Sequence, residues 1–300
     1  MKPAPFTYHR PREVPEAVSV LHRLLESGGH AKVLAGGQSL LPVMSMRLAS
    51  PDHIVDINAI AGLDEITVTP DAVRIGALVR HRALERHDGA AAALPLLRET
   101  LRHVAHPTIR NRGTTVGSLC HADPSSEMPV VLAALGGHVV AASVRGERQV
   151  AAADLFVGPL ETSLAEDELA VAAVFPTLPP GTGSAMVEVA RRHGDYAMCG
   201  VVATVSLDDE GRVGRVRAGY LSAGDSPQPL DLSAPVAGSA LRDADWAAVG
   251  ELARGLVPTE PDIHASAEYR SQLVAVLTER AVRTAASRTS RSTTTEEHAA

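Results

Sequence analysis

Two short stretches carry the residue types that hold a phosphate group with main-chain atoms. In Ala35-Gly36-Gly37-Gln38-Ser39-Leu40-Leu41-Pro42, a strand-like run from Lys32 ends in paired glycines, a polar pair and a proline able to open a short helix. Paired glycines permit a tight turn and let the backbone approach a ligand closely. Successive N–H groups in such a turn converge on an anion, and a helix start beside them adds its dipole. Taken alone, the stretch is equally an ordinary strand-to-helix turn. The second stretch, Arg110-Asn111-Arg112-Gly113-Thr114-Thr115-Val116-Gly117-Ser118, continues through Leu119-Cys120-His121-Ala122-Asp123-Pro124 and is again small, polar and glycine-bearing. Two such loops, a domain's width apart in sequence, can hold the two ends of one dinucleotide.

The elements that must position these loops follow from periodicity. Pro15 to Glu26 reads as an amphipathic helix with Val18, Leu21, Leu24 and Leu25 on one stripe, ended by Gly28-Gly29. A strand over Lys32–Ala35 enters the first loop, and a short helix through Met44 and Met46 leaves it for a strand over His53–Ile57. Ile66 and Val68 face Val73 and Ile75 in a hairpin. Helices are expected over His81–Arg86 and Pro95–Val104, before the second loop. Another runs over Glu127–Leu135, capped by Ser125 or Ser126 and stopped by Gly136-Gly137. His138–Ser143 and Gln149–Ala153 read as a second hairpin. The Pro-rich run Pro176-Thr177-Leu178-Pro179-Pro180-Gly181 marks a domain boundary. Beyond it, strands are expected over Met186–Ala190, Val201–Leu207 and Val213–Leu221, then helices over Asp243–Leu256 and Ala267–Ala285. The tail after Ser287, rich in Ser, Thr and charge, reads as disordered.

Composition narrows the function classes. A chain of 300 residues is long enough for two or three packed subdomains. Its formal charge of −7 implies no general attraction to nucleic acid or to an anionic membrane. A phosphate site here must therefore depend on local amide groups. The two cysteines, Cys120 and Cys199, exclude a disulfide framework and are too few for a four-cysteine cluster within the chain. A reduced, cytoplasmic setting fits best. The first ten residues lack a signal-peptide core, and no apolar run is long enough to span a membrane.

As a pair, the loops resemble the double FAD-binding signature of the medium, flavin-carrying subunit of molybdenum hydroxylases, the xanthine dehydrogenase and CO dehydrogenase family. There the first motif reads roughly A-G-G-H-S-L and the second T-I-G-G-S or T-I-G-G-N. A third stretch, Val187-Glu188-Val189-Ala190-Arg191-Arg192-His193-Gly194-Asp195-Tyr196-Ala197, resembles the family's run ending R-x-G-D-Y-A. The resemblance covers residues 3 to 285 in matching order. It implies an α+β fold: a two-lobed PCMH-type (vanillyl-alcohol-oxidase-like) FAD-binding domain, followed by an α+β C-terminal domain of the CO dehydrogenase flavoprotein type. Lobe 1 would span 1–58, lobe 2 would span 59–177, the C-terminal domain 178–286, and a tail 287–300.

Carried over residue by residue, the resemblance implies FAD contacts from Ala35, Gly36, Gly37, Gln38, Ser39 and Leu40, and from Thr114, Thr115, Val116, Gly117 and Ser118. Glu127 aligns with an acid that accepts hydrogen bonds from FAD hydroxyls; its plainer role is a helix-start carboxylate. Asp123 is either a ligand or a turn-former. Val104 and Ala170 sit where the family packs apolar groups near the cofactor, and core packing explains them equally. Tyr196 would lie on one face of the flavin ring, or serve as a core tyrosine. Two departures stand out. Val116 replaces the first of two glycines, so the turn survives only where residue 116 needs no left-handed conformation. Gln38 replaces a histidine, keeping a donor and an acceptor but losing any proton-linked role. Glu188 stands where family members often carry a basic residue and is assigned no role.

The resemblance also implies partners: a large molybdopterin-binding subunit that oxidises the substrate and a small subunit with two [2Fe-2S] clusters, in a dimer of heterotrimers (a heterohexamer). This chain would pass electrons from those clusters through FAD to an external acceptor. The rival from another class is a stand-alone FAD-dependent oxidase of the same fold, and a third reading is a flavin-less structural subunit. Scattered histidines (His103, His106, His121) with Asp123 make a weak metal constellation. Gly181-Thr182-Gly183 lacks the third glycine of a dinucleotide fingerprint, and no esterase elbow occurs. Arg110 and Arg112 can pair with phosphate or simply solvate a loop.

Overall fold

The computed structural model describes residues 2–224 and 227–289. The N-terminal lobe contains β1 (Thr7–His9), α1 (Val14–Glu26), β2 (Ala31–Leu34), α2 (Leu40–Ser45) and β3 (His53–Asp56). The central strand β3 pairs in parallel with both neighbours, in the order β1-β3-β2. Parallel pairing needs a covering crossover, and α1 supplies it by burying Ala17, Val18, Val20 and Leu21. This arrangement delivers the C-terminal end of β2 directly into the first glycine loop.

The second lobe begins with β4 (Ile66–Val68) and β5 (Ala72–Gly76), whose register pairs Ile66 with Ile75 and Val68 with Val73, as the alternation predicts. Six helices follow: α3 (His81–Arg86), α4 (Asp88–Ala93), α5 (Pro95–Leu101), α6 (Pro107–Arg110), α7 (Thr115–His121) and α8 (Glu127–Leu135). Next come β6 (His138–Ser143), β7 (Gly146–Ala151), α9 (Ala152–Leu155), the short hairpin β8 (Phe156–Gly158) and β9 (Glu161–Thr162), and β10 (Leu169–Pro176). The antiparallel sheet runs β4-β5-β10-β6-β7, with β10, a strand absent from the periodicity reading, at its centre. Helix α8 is buried all round from Met128 to Ala134, and its Gly136 cap takes the left-handed conformation expected of a helix stop.

The C-terminal domain is a four-stranded antiparallel sheet, β11 (Thr182–Ala190), β12 (Ala197–Leu207), β13 (Val213–Leu221) and β14 (Leu230–Asp231), covered by α10 (Trp246–Leu256) and α11 (Ala267–Ser287). Alternate residues of β12 serve two cores. Val201, Ala203 and Val205 pack under the helices, whereas Val202, with Met186 and Leu221, joins the core of the two N-terminal lobes. A sheet buried on both faces needs the near-continuous apolar run that β12 has. Within the segment 287–300, Arg288 reaches Glu99 on α5 (2.6 Å) and the carbonyl of Ser184 on β11 (2.8 Å); residues 290–300 lie outside the described residues.

The two lobes meet at Gly36. A Cβ placed there would lie 2.5 Å from the Arg112 carbonyl oxygen, 2.8 Å from Gly113 Cα and 3.0 Å from Thr114 N. Glycine at 36 is therefore what lets the first loop rest on the backbone of the second. Gly36→Ala is expected to force the loops apart and destabilise the chain by about 1–3 kcal/mol, in the range of overpacking changes. Chemical denaturation of the variant checks this, and an unchanged midpoint would contradict it.

Candidate functional site

The first loop leaves β2 with Gly37 in the left-handed region (φ +73°), and the Gln38 side chain folds back to donate to the Gly36 carbonyl at 3.2 Å. Helix α2 begins at Leu40, so Pro42 lies inside its first turn. Ser39 is the residue before the helix; its side chain makes no capping bond and is exposed. Among the described residues, the amides of Gly36, Gly37, Gln38 and Ser39 donate to no protein acceptor. Four consecutive open N–H groups match an anionic ligand held by main chain.

The second loop is a helix start. Thr114 caps α7 by accepting from the Gly117 amide at 3.1 Å. A Cβ at Gly117 would sit 2.6 Å from that same Oγ1, so the cap requires glycine. Val116 is helical, 2 % exposed and packed in the main core. Its replacement of a glycine is accommodated because the position needs no positive φ. The Thr115 amide bonds to Val79 O (3.3 Å) and the Ser118 amide to Thr114 O (3.0 Å), leaving the amides of Thr114 and Val116 open among the described residues.

Scaffold residues fix this geometry from behind. The Thr115 hydroxyl is 3.3 Å from His81 Nδ1, and burial together with the Arg110 charge pushes His81 down to about 4, so the ring is neutral. Arg110 neither binds phosphate nor solvates the loop: it is buried, pairs with Glu85 (3.1 Å) and donates to the carbonyls of Val104 (2.9 Å) and Ala105 (2.8 Å). Val104 and Ala170 are buried in the main core.

Beside the loops is a cleft of about 340 Å³ lined by Ala35, Gly36, Asp56, Asn58, Arg80 and Arg112 among others. Asn58 donates to the carbonyls of Leu34 (3.3 Å) and Ala35 (2.9 Å) and to Asp56 (2.7 Å). Arg80 spans the lobes, donating to Asn58 Oδ1 and to the Arg112 carbonyl, both at 2.6 Å. Asn58 and Arg80 escape a motif reading because each lies outside the glycine stretches; only the fold brings them to the loop.

On the far side of the second loop, acids gather. Asp123 accepts from the Ser125 amide at 2.9 Å, a turn-forming contact, directly after Ala122 closes α7 in the left-handed region. Glu127 opens α8, and burial, reinforced by Asp123, pushes its carboxyl up to about 7. Glu188 on β11 is pushed up to about 8 by burial and by the Glu127 charge, and its Oε2 is buried without a hydrogen-bond partner. Tyr196 is 62 % exposed, within the field of Asp123 and Glu127, so it is no core tyrosine. The structure thus brings Asp123, Glu127 and Tyr196 together and adds Glu188. Both thiols are pushed up to about 12 by burial, which leaves them protonated. Among the described residues no group of three or more potential ligands forms a metal site, and no helix is long and apolar enough to cross a membrane.

These features fit a bound dinucleotide flavin: open amides for a diphosphate, close loop approach through Gly36, and acids able to meet hydroxyl groups. Residues 4–178 match the family described as the FAD-binding domain in molybdopterin dehydrogenase, and residues 184–285 match the CO dehydrogenase flavoprotein C-terminal domain. The chain is 41 % identical to the 6-hydroxypseudooxynicotine dehydrogenase complex subunit alpha of Paenarthrobacter nicotinovorans, over 93 % of this chain and 94 % of that one. It is 34 % identical to the carbon monoxide dehydrogenase medium chain of Afipia carboxidovorans, over 96 % and 99 %. Among solved structures, carbon monoxide dehydrogenase from Hydrogenophaga pseudoflava superposes with a TM-score of 0.88 at 33 % identity, covering 97 % of this chain and 100 % of that one.

The acid pair makes stability depend on pH. Glu127 and Glu188 both hold their protons more tightly folded than unfolded. Their stabilising contribution is complete below the ordinary carboxyl range and is lost as pH rises through about 7 and about 8. The thermal midpoint of the flavin-free chain is expected to fall between about pH 5 and about pH 8, each group contributing at most about 1.4 kcal/mol per pH unit. Glu188→Gln should flatten that fall and raise the midpoint at the alkaline end. The same slope in the variant would contradict the assignment.

Proposed function

Because the chain belongs to the molybdopterin dehydrogenase FAD-binding family, with its CO dehydrogenase flavoprotein C-terminal domain, we propose that it is the electron-transfer medium subunit of a molybdenum hydroxylase. In this reading electrons come from [2Fe-2S] clusters of a small partner subunit, substrate is oxidised on a large molybdopterin-binding partner, and the complex is a dimer of heterotrimers. The observation that carries the reading is the pair of opposed loops with open amides, held together at Gly36.

FAD, when bound, supplies reversible electron exchange between the partner's clusters and an external acceptor. The chain's own residues bind and orient. Gly36, Gly37, Gln38 and Ser39 offer amides to the diphosphate, with Thr114 and Val116 opposite, and the Ser39 and Ser118 hydroxyls stand beside them. Ala35 and Leu40 flank the first loop. Thr115 and Gly117 act behind the contact, as the His81-linked scaffold and the cap of α7. Glu127 and Asp123 accept from sugar-alcohol hydroxyls, Val104 and Ala170 give the apolar backing, and Tyr196 covers one ring face.

A stand-alone oxidase would need its own substrate pocket with a base. Glu188, a buried carboxyl with an unpaired oxygen, is the residue that keeps this second reading in play. The two separate by turnover. The isolated chain loaded with FAD is expected to oxidise neither aldehydes nor nitrogen heterocycles, while its flavin is bleached by dithionite. Organic-substrate turnover with the partners absent would overturn the relay role.

A further inference from the structure

Glu188 on β11 carries a buried side-chain oxygen, Oε2, that has no hydrogen-bond partner. Its other oxygen has none either among the described residues, yet the residue as a whole is only half-buried. The carboxyl is thus set into the protein and open on one side. A buried polar atom left without a partner marks a place where a ligand can supply one.

Strand register shows what the open side adjoins. Side chains alternate along a strand, so Glu188 shares a face with Met186, which belongs to the core of the N-terminal lobes. Across the sheet Glu188 is in register with Gly200, and Gly200 with Leu221, another residue of that core. Gly200 puts no side chain into this row. In the next row Met186, Val202 and Gly219 are in register, and a Cβ at Gly219 would lie 2.8 Å from Val130 Cγ1 on α8. Helix α8 therefore crosses this face, with Glu127 one turn before Val130. Just past Glu188 the β11–β12 register shifts, between Val189 and Ala190, and the sheet gives way to the loop that carries Tyr196. Glu188 thus stands at the rim where the C-terminal sheet meets the acid end of the site.

The charged groups around it are acids. Glu127 on α8 raises Glu188, and Asp123 in the turn before α8 raises Glu127. No cation among the described residues offsets this: Arg110 is held by Glu85, and Arg270 by Asp262. The Cys199 thiol on β12 is pushed up to about 12 by burial, and the Tyr196 phenol is raised as well, so both are neutral. Burial and the Glu127 charge push Glu188 up to about 8, so at neutral pH it carries a proton that no protein atom accepts. An ionised carboxylate only accepts hydrogen bonds, whereas a neutral carboxyl donates one.

We propose that Glu188 is a further cofactor contact, a hydrogen-bond donor whose proton is shared with an acceptor atom of the bound flavin. The inference rests on the FAD reading above and gives Glu188 the role opposite to Asp123 and Glu127, which accept. It also separates Glu188 from the oxidase reading, because a carboxyl whose proton holds the flavin is not free to serve as a base.

The test titrates the full chain, freed of flavin, with FAD between about pH 6 and about pH 9, following quenching of flavin fluorescence. As pH rises through about 8, the free carboxyl loses the proton that binding needs. The affinity of the native chain divided by that of Glu188→Gln, whose amide still donates, should be level up to about pH 7. Above about pH 8 it should fall by as much as about ten-fold per pH unit. Glu127 titrates in both chains and cancels. Calorimetry in buffers of different ionisation enthalpy should find, at about pH 8, roughly half a proton more taken up per FAD by the native chain than by Glu188→Gln. Glu188→Ala, with no donor, should bind FAD about five-fold more weakly than Glu188→Gln at about pH 7. Glu188→Gln keeps the shape and the donor, so its pH profile decides even where Glu188→Ala fails to fold. A ratio that stays level to about pH 9, equal proton uptake by the two chains, or a folded Glu188→Ala that binds as tightly as Glu188→Gln would overturn the contact. A native chain that binds no FAD anywhere in this range would instead fail the parent reading.

Discussion

The architecture depends on one close approach: Gly36 set against the backbone of Arg112, Gly113 and Thr114. Neither loop offers the whole open main-chain surface by itself. The first has open amides but no wall opposite, and the second spends most of its amides on its own cap and on Val79. Set against one another, they enclose a main-chain surface that an overall acidic chain could not provide through its net field. Everything behind the loops serves that contact. Arg80 holds the Arg112 carbonyl, His81 backs Thr115, and buried Arg110 ties the loop to Glu85 and to the turn at Val104 and Ala105.

The C-terminal domain is fastened to this unit rather than appended to it. Its central strand contributes to two cores, and Arg288 grips both α5 and β11 from the end of the last helix. The consequence for the site is Glu188. Strand β11 carries it near the N-terminal end of α8, within the field of Glu127. Burial raises both carboxyls, and the charge of Glu127 raises Glu188 further, because two carboxylates side by side repel. The acid pair is thus composite, with one residue from each domain.

Much of this was legible in the sequence, for physical reasons. Elements with a single buried face showed themselves, α1 by its apolar stripe and the β4–β5 hairpin by its alternation, while α8, buried all round, was marked by its glycine stop. The strand β10 did not, because Leu169–Phe175 is an apolar, alanine-rich run buried on both sides, and such a run carries no period to separate strand from helix. The glycine loops were visible as motifs. What the motifs could not say was which amides remain free, since Thr115 and Gly117 look as available as their neighbours until the partners Val79 and Thr114 are in place. Arg80, Asn58 and Glu188 were illegible for a related reason: each acquires its role from a neighbour distant in sequence. Val116 is the instructive departure. It looked like a threat to the turn, and became a core residue once the turn proved to be a right-handed helix start.

Whether the paired loops hold FAD is read most directly from an absorption spectrum of the purified chain, before and after acid release of the chromophore. Flavin bands near one equivalent per chain and a released species that is FAD are expected. A chain that is colourless both alone and in complex with its partner subunits, or one that releases FMN, would contradict that expectation.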